Sequence, residues 1–222
     1  MTEDDFINYL NNFNIQMATV SSVTRNVTQD NDNVQKLVRK SAGKVIGMGH
    51  INPNLENAVE EVKRIVKMGF KAVKMHPDID CFNCFDINLL EPVLNEVAKH
   101  KLPILFHTGT PPHVTPVHVG FLAQHFTEIP MICGHSGLAD STFECSSAAK
   151  MADNVYFDTA LASTPPVIEN LIRDFGAERV FWGSDVPYGN FISQFFWVYS
   201  LNITQREKEL VYGENAKKLF SC

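Results

Sequence analysis

Four histidines and two aspartates stand at the ends of short apolar runs: His50, His76, His107, His135, Asp158 and Asp185. Imidazole and carboxylate together are a donor set for a divalent metal, and the same groups move protons. The separations are 26, 31, 28, 23 and 27 residues, each about one strand-plus-helix unit. One histidine closing an apolar strand is ordinarily a hydrogen-bonded structural residue. Repeated placement at the same end of successive strands is not expected of unrelated structural residues. His100, His113, His118 and His125 fall outside this pattern, on expected helices or loops, and read as surface residues.

The elements that must position these residues follow from hydrophobic periodicity. Strands are expected at 16–21, 44–51, 70–76, 103–107, 129–135, 154–160 and 178–185. Between them lie amphipathic runs, such as 53–68, with Leu55, Val59, Val62, Ile65 and Val66 on one face, Asn52 as its cap and Gly69 as its end. Helices near 190–200, 204–211 and 213–220 close the chain. No hairpin turn joins two strands, so the strands must be parallel with helical crossovers. The fold class is α/β. A doubly wound sheet and a (β/α)8 barrel both fit, and no linker divides residues 1–222, which read as one domain. In a parallel barrel all carboxyl ends of the strands converge on one face, where active sites are built.

Composition narrows the function. The net charge is −6, and no Lys/Arg cluster could track a phosphate backbone, which argues against nucleic acid. No apolar run is long enough to span a membrane, and the acidic opening MTEDDFINYL is not a signal peptide. Five cysteines, an odd number, suit a reducing cytoplasm. The Cys81–Cys84 pair follows a strand and has no second pair to complete a zinc site, so it carries no metal or redox assignment.

Five short motifs then occur in order: K-x-H-P (Lys74 to Pro77), H-T-G (His107 to Gly109), C-G-H-S-G (Cys133 to Gly137), G-S-D-x-P (Gly183 to Pro187) and G-E-N-A-x-x-L-F (Gly213 to Phe220). With them the chain resembles the amidohydrolase-related metal-dependent hydrolases, in the branch of aminocarboxymuconate-semialdehyde-type decarboxylases. The resemblance implies a (β/α)8 TIM barrel and a divalent metal, expected to be Zn²⁺. It implies His107, His135 and Asp185 as metal ligands, with Asp185 and His135 also catalytic, and Lys74 and His76 binding the substrate. The activity implied is hydrolysis or decarboxylation of a small, anionic organic molecule through a metal-activated water. A homo-oligomer is left open.

The family opens with a strand ending in His-x-His, and this chain has none. Residues 3–13 match the helix that follows that strand, and 222 residues fall short of the roughly 250 usual for the barrel. The chain is therefore expected to be a barrel lacking its first strand, either as a fragment or as a short form with a weakened metal site. The alternative is a non-catalytic barrel remnant that binds a ligand or a partner chain.

Overall fold

The computed structural model describes residues 1–111 and 113–220. Seven parallel strands form one sheet in chain order: β1 (Ala18–Val20), β2 (Val45–His50), β3 (Ala72–Met75), β4 (Ile104–His107), β5 (Met131–Gly134), β6 (Val155–Asp158) and β7 (Val180–Phe181). Each pairs with its sequence neighbours, and among the described residues β1 and β7 are the two edges. The architecture is a TIM-type barrel wall one strand short of eight. Helices cover its outside. They are α1 (Glu3–Asn12), α2 (Val27–Lys40), α3 (Ala58–Lys67), α5 (Ile87–Lys99), α6 (Pro116–His125), α7 (Cys145–Met151) and α8 (Pro165–Phe175), while α4 (Pro77–Asp80) is a single turn at the carboxyl end of β3. Three more, α9 (Phe191–Tyr199), α10 (Gln205–Glu209) and α11 (Asn215–Leu219), complete the described chain.

Alternation along the strands sorts the side chains. Val73, Met75, Ile104, Phe106, Met131, Cys133, Val155, Phe157 and Val180 pack outward into the large core under the helices. Their neighbours Met48, Ala72, Leu105, Ile132, Tyr156 and Phe181 turn inward and meet Ala216, Leu219 and Phe220 at the end of the chain. The same parity places His50, Lys74, His107 and Asp158 on the inward face, one step nearer the carboxyl ends.

Three expectations shift. α3 begins at Ala58 rather than near Pro53, because the Asn52 side chain accepts the Asn54 amide (3.0 Å) in a turn, leaving Leu55 exposed. Its buried stripe is Ala58, Val62 and Ile65. The last strand is two residues long, since β7 pairs on one side alone and the next amide, Trp182, donates instead to the Val211 carbonyl (2.8 Å). The closing helices α10 and α11 are joined by a wide turn over Leu210–Glu214 instead of a break. No helix among the described residues is long and apolar enough to cross a membrane.

α3 lies so close to β2 that a Cβ on Gly49 would come within 2.5 Å of Ile65 Cδ1. Ile65 is fully buried and cannot swing away. Gly49→Ala should therefore destabilise the fold by about 1–3 kcal/mol through overpacking, seen as a lower urea midpoint. Shortening the neighbour in Gly49→Ala/Ile65→Val should recover part of the loss. An unchanged midpoint in the single variant would contradict this packing.

Candidate metal centre and active site

The carboxyl ends of β3 and β4 present the first two imidazoles. His76 and His107 stack with ring centroids 4.0 Å apart and planes 11° from parallel. His76 caps α4, its Nδ1 accepting the Ile79 amide at 3.4 Å. In the neutral ring the proton is then on Nε2, so a lone pair for an ion comes from Nδ1 in place of that long contact, or from Nε2 after a tautomer shift. His107 Nε2 lies 2.8 Å from the Thr110 hydroxyl. His135 meets His107 edge-on, with centroids 4.8 Å apart.

A third donor joins the first two. Donor atoms of His76, Asp78 and His107 all lie within 4.8 Å of one another. Ligands about 2.2 Å from a common ion sit roughly 3 to 4.4 Å apart, so this spacing fits one cation with small adjustment. Both Asp78 oxygens are buried without a hydrogen-bond partner. Burial holds the Asp78 carboxyl above its usual range, although the charge of His113 and the Thr110 hydroxyl offset part of that effect. A carboxylate left unpartnered inside a protein is costly, and a cation would satisfy it.

The electrostatics also leave the nitrogens free to bind. Burial lowers His107 to about 2, reinforced by the charges of His76, Lys74 and His135. Burial likewise lowers His76 to about 3, with Lys74, His135 and His50 adding to it. Both rings are therefore neutral at neutral pH, the form that ligates metals. Lys74, nearly fully buried on β3, is lowered to about 8 by burial, while the charges of Asp158 and Asp185 pull the other way.

Four segments hold the rest of the mouth. His135 Nδ1 lies 2.9 Å from the Ala160 carbonyl, so the ring donates from Nδ1 and presents Nε2. The Asp158 carboxylate accepts the Ala160 amide (2.6 Å) and the His135 amide (3.3 Å), pinning that carbonyl. His135, Ser136 and Leu138 all have positive φ, a conformation costing about 1–3 kcal/mol per residue. It is held by Ser136 Oγ donating to the Asp158 carbonyl (2.6 Å) and by Thr108, whose hydroxyl donates to the Gly134 carbonyl (2.6 Å) and accepts the Gly137 amide (3.0 Å). Gly109 has φ +102 and lies so near Gly137 that a Cβ would come within 2.6 Å of its carbonyl carbon. Asp185 also has positive φ, with its carbonyl accepting the Gly189 amide at 2.7 Å.

The structure thus gathers Lys74, His76, His107 and His135 at one mouth, with Asp158 and Asp185 acting on Lys74 through their charge. Among the described residues, the group of donors that could share an ion is His76, Asp78 and His107, without His135 or Asp185. Asp78 went unread in the sequence, although the spacing H-x-D directly after a strand was a usable signal. His50, also at a strand end, lies deeper and bonds to carboxylates rather than joining the donors. His118 is no simple surface residue, for its Nδ1 accepts the Thr115 amide (3.1 Å) at the start of α6.

The profile of a protein family described as amidohydrolase matches residues 8–221. The chain belongs to the amidohydrolase family. Its fold is that of solved decarboxylases. The 2,6-dihydroxybenzoate decarboxylase from Rhizobium superposes with TM-score 0.79 at 16% identity, over 100% of this chain and 88% of that one. The 5-carboxyvanillate decarboxylase from Novosphingobium aromaticivorans gives 0.78 at 15% identity, over 98% and 80%. A dihydroxybenzoic acid decarboxylase from a Polaromonas species gives 0.74 at 16%, over 100% and 86%. No curated protein matches the chain at a significant level.

The last two structures hold manganese. That corrects the expectation of Zn²⁺. Imidazole and carboxylate ligate both ions, and the donor group here has no thiolate to favour zinc. Asp78→Ala should weaken Mn²⁺ binding at least tenfold, read by the paramagnetic resonance of free Mn²⁺ in a titration. Asp78 is half-buried and lacks a close hydrogen-bond partner, so the same substitution should change the stability of the metal-free protein little. Loss of stability with unchanged Mn²⁺ affinity would dismiss Asp78 as a donor.

Proposed function

We propose that this amidohydrolase is a divalent-metal-dependent decarboxylase of a small hydroxylated aromatic or unsaturated carboxylic acid. The observation that carries this reading is the donor group His76–Asp78–His107 opening beside the buried ammonium of Lys74. Support also comes from the fold shared with manganese-containing decarboxylases of hydroxybenzoic acids.

A bound divalent ion would supply fixed positive charge to hold and polarise the oxygens of the acid. The protein's own groups do the rest. The ammonium of Lys74 pairs with an anionic oxygen of the substrate and orients it. Decarboxylation needs a proton delivered to the carbon that bears the carboxylate. The carbon–carbon bond then breaks, its electron pair stays with that carbon, and carbon dioxide leaves. Asp185 and His135 are the proton-handling pair of this proposal. His135 suits the role because its Nδ1 is committed to the Ala160 carbonyl, which leaves Nε2 facing a substrate. Neutral His76 and His107 keep the metal side of the pocket open to an ion rather than to protons.

The test is carbon dioxide release from a panel of hydroxybenzoates and unsaturated diacids, with Mn²⁺ supplied after chelator treatment. Metal-dependent release is expected. Asp185→Asn should fold normally and lower kcat by about 10²–10⁴, the scale of a lost proton-transfer group. Lys74→Met should act mainly on KM. Metal-dependent cleavage of esters or amides without carbon dioxide would assign the same residues to hydrolysis. Failure to bind metal at all would favour the ligand-binding remnant.

A further inference from the structure

Behind the metal turn lies a second titratable cluster that the proposed reaction does not use. His50, fully buried at the end of β2, stands between two buried carboxylates. Its Nδ1 is 3.0 Å from Asp30 Oδ2 on α2, and its Nε2 is 2.8 Å from Asp80 Oδ2 at the end of α4. Asp30 is fixed in turn by the Ser22 hydroxyl (2.9 Å) and the Thr24 amide (2.6 Å). The His50 backbone is clamped by Asn31, which accepts its amide (2.7 Å) and donates to its carbonyl (2.9 Å).

A neutral imidazole offers one N–H and one lone pair, and a lone pair facing a carboxylate is repulsive. Both contacts are satisfied only if two protons are shared among the three groups, most simply as an imidazolium between two carboxylates. Burial works against that charge, but the two carboxylates outweigh it and hold His50 above its usual pKa.

α4 explains why such a cluster would be kept. It has four residues, Pro77–Asp80, and a single turn has no stability of its own. Yet this turn carries Asp78 and is capped by His76, two of the three metal donors. Its far end is tied down by Asp80, through the carboxylate on His50 and through its carbonyl, which accepts Asn54 Nδ2 at 2.7 Å. We infer that Asp30–His50–Asp80 is a positioning device that fixes the metal-binding turn to the barrel wall. None of the three belongs to the donor group, so they are positioning residues. The inference rests on the metal reading above.

The experiment compares Asp80→Asn, which keeps an oxygen facing His50, with Asp80→Ala, which does not. His50→Gln is made alongside, and His107→Ala serves as the control lacking a donor. Mn²⁺ affinity is measured for each folded variant, and the nitrogen-15 signals of the His76 ring are recorded without metal. Asp80→Ala and His50→Gln should weaken Mn²⁺ binding about 10–100-fold, the usual cost of losing a group that orients a ligand. They should also move the His76 signals as its cap on α4 loosens, and Asp80→Asn should restore most of both. The proposal is overturned if folded Asp80→Ala binds Mn²⁺ like the wild type with His76 unmoved, or if Asp80→Asn loses as much as Asp80→Ala. Should His50→Gln fail to fold, the Asp80 pair decides alone. If the wild type binds Mn²⁺ no better than His107→Ala, the metal reading fails, and the His76 signals alone judge the positioning role.

Discussion

Side chains along a strand point alternately to its two faces, and in a parallel sheet under helices one of those faces is closed off. The rest of this structure depends on that parity. Val73, Ile104, Phe106, Cys133 and Phe157 occupy the covered face. Every polar residue near the strand ends must then take the other parity or incur the cost of burial under the helices. Lys74, His107 and Asp158 do so, above an apolar layer of Ala72, Leu105 and Tyr156. A shift of one residue in β2, β3 or β4 would bury an imidazole or an ammonium against α-helices and turn an apolar side chain into the mouth.

Desolvation, set by that same geometry, gives the polar residues different states. The two stacked rings are neutral and the buried ammonium is weakened. Farther back, two carboxylates outweigh burial and hold His50 above its usual pKa. Neutral donors thus face the pocket while an imidazole held between two carboxylates lies behind the metal-binding turn. The strained segment at His135–Leu138 belongs to the same economy of fixed geometry. Positive φ at three non-glycine residues aims Nε2 of His135, and hydrogen bonds from Thr108 and Ser136 to neighbouring strand ends hold it.

Much of this was legible in the sequence. Alternating strands and helices, the spacing of His76, His107 and His135, and five ordered motifs pointed to the barrel and to its carboxyl-end face. The donor group was less legible. Asp78 sits on a turn whose direction depends on His76 as cap and on Cys81 in the left-handed conformation, and neither shows as periodicity. The start of α3 was misplaced because Asn52 closes a local turn instead of capping a helix. The last strand is shorter than its sequence suggests, because apolar residues at 180–182 look alike whether or not a neighbouring strand exists to pair them. The choice of metal is not written in a donor set that two ions share.

The order of the strands has a further consequence, for the way the chain folds. β1 to β7 pair in strict succession, so every ladder contact joins consecutive units and each unit needs only the one before it. Loop closure for any one step is short and its entropy cost small, which favours growth of the wall from an existing edge. The described contacts between the first and last units are made by side chains. Phe13 packs on Phe191 with centroids 4.5 Å apart, Tyr9 on Phe191 at 6.3 Å, and Lys217 reaches Gln16 at 3.5 Å. Bringing these together spans almost the whole sequence. The seam is therefore the costliest contact in entropy and the natural last event of assembly.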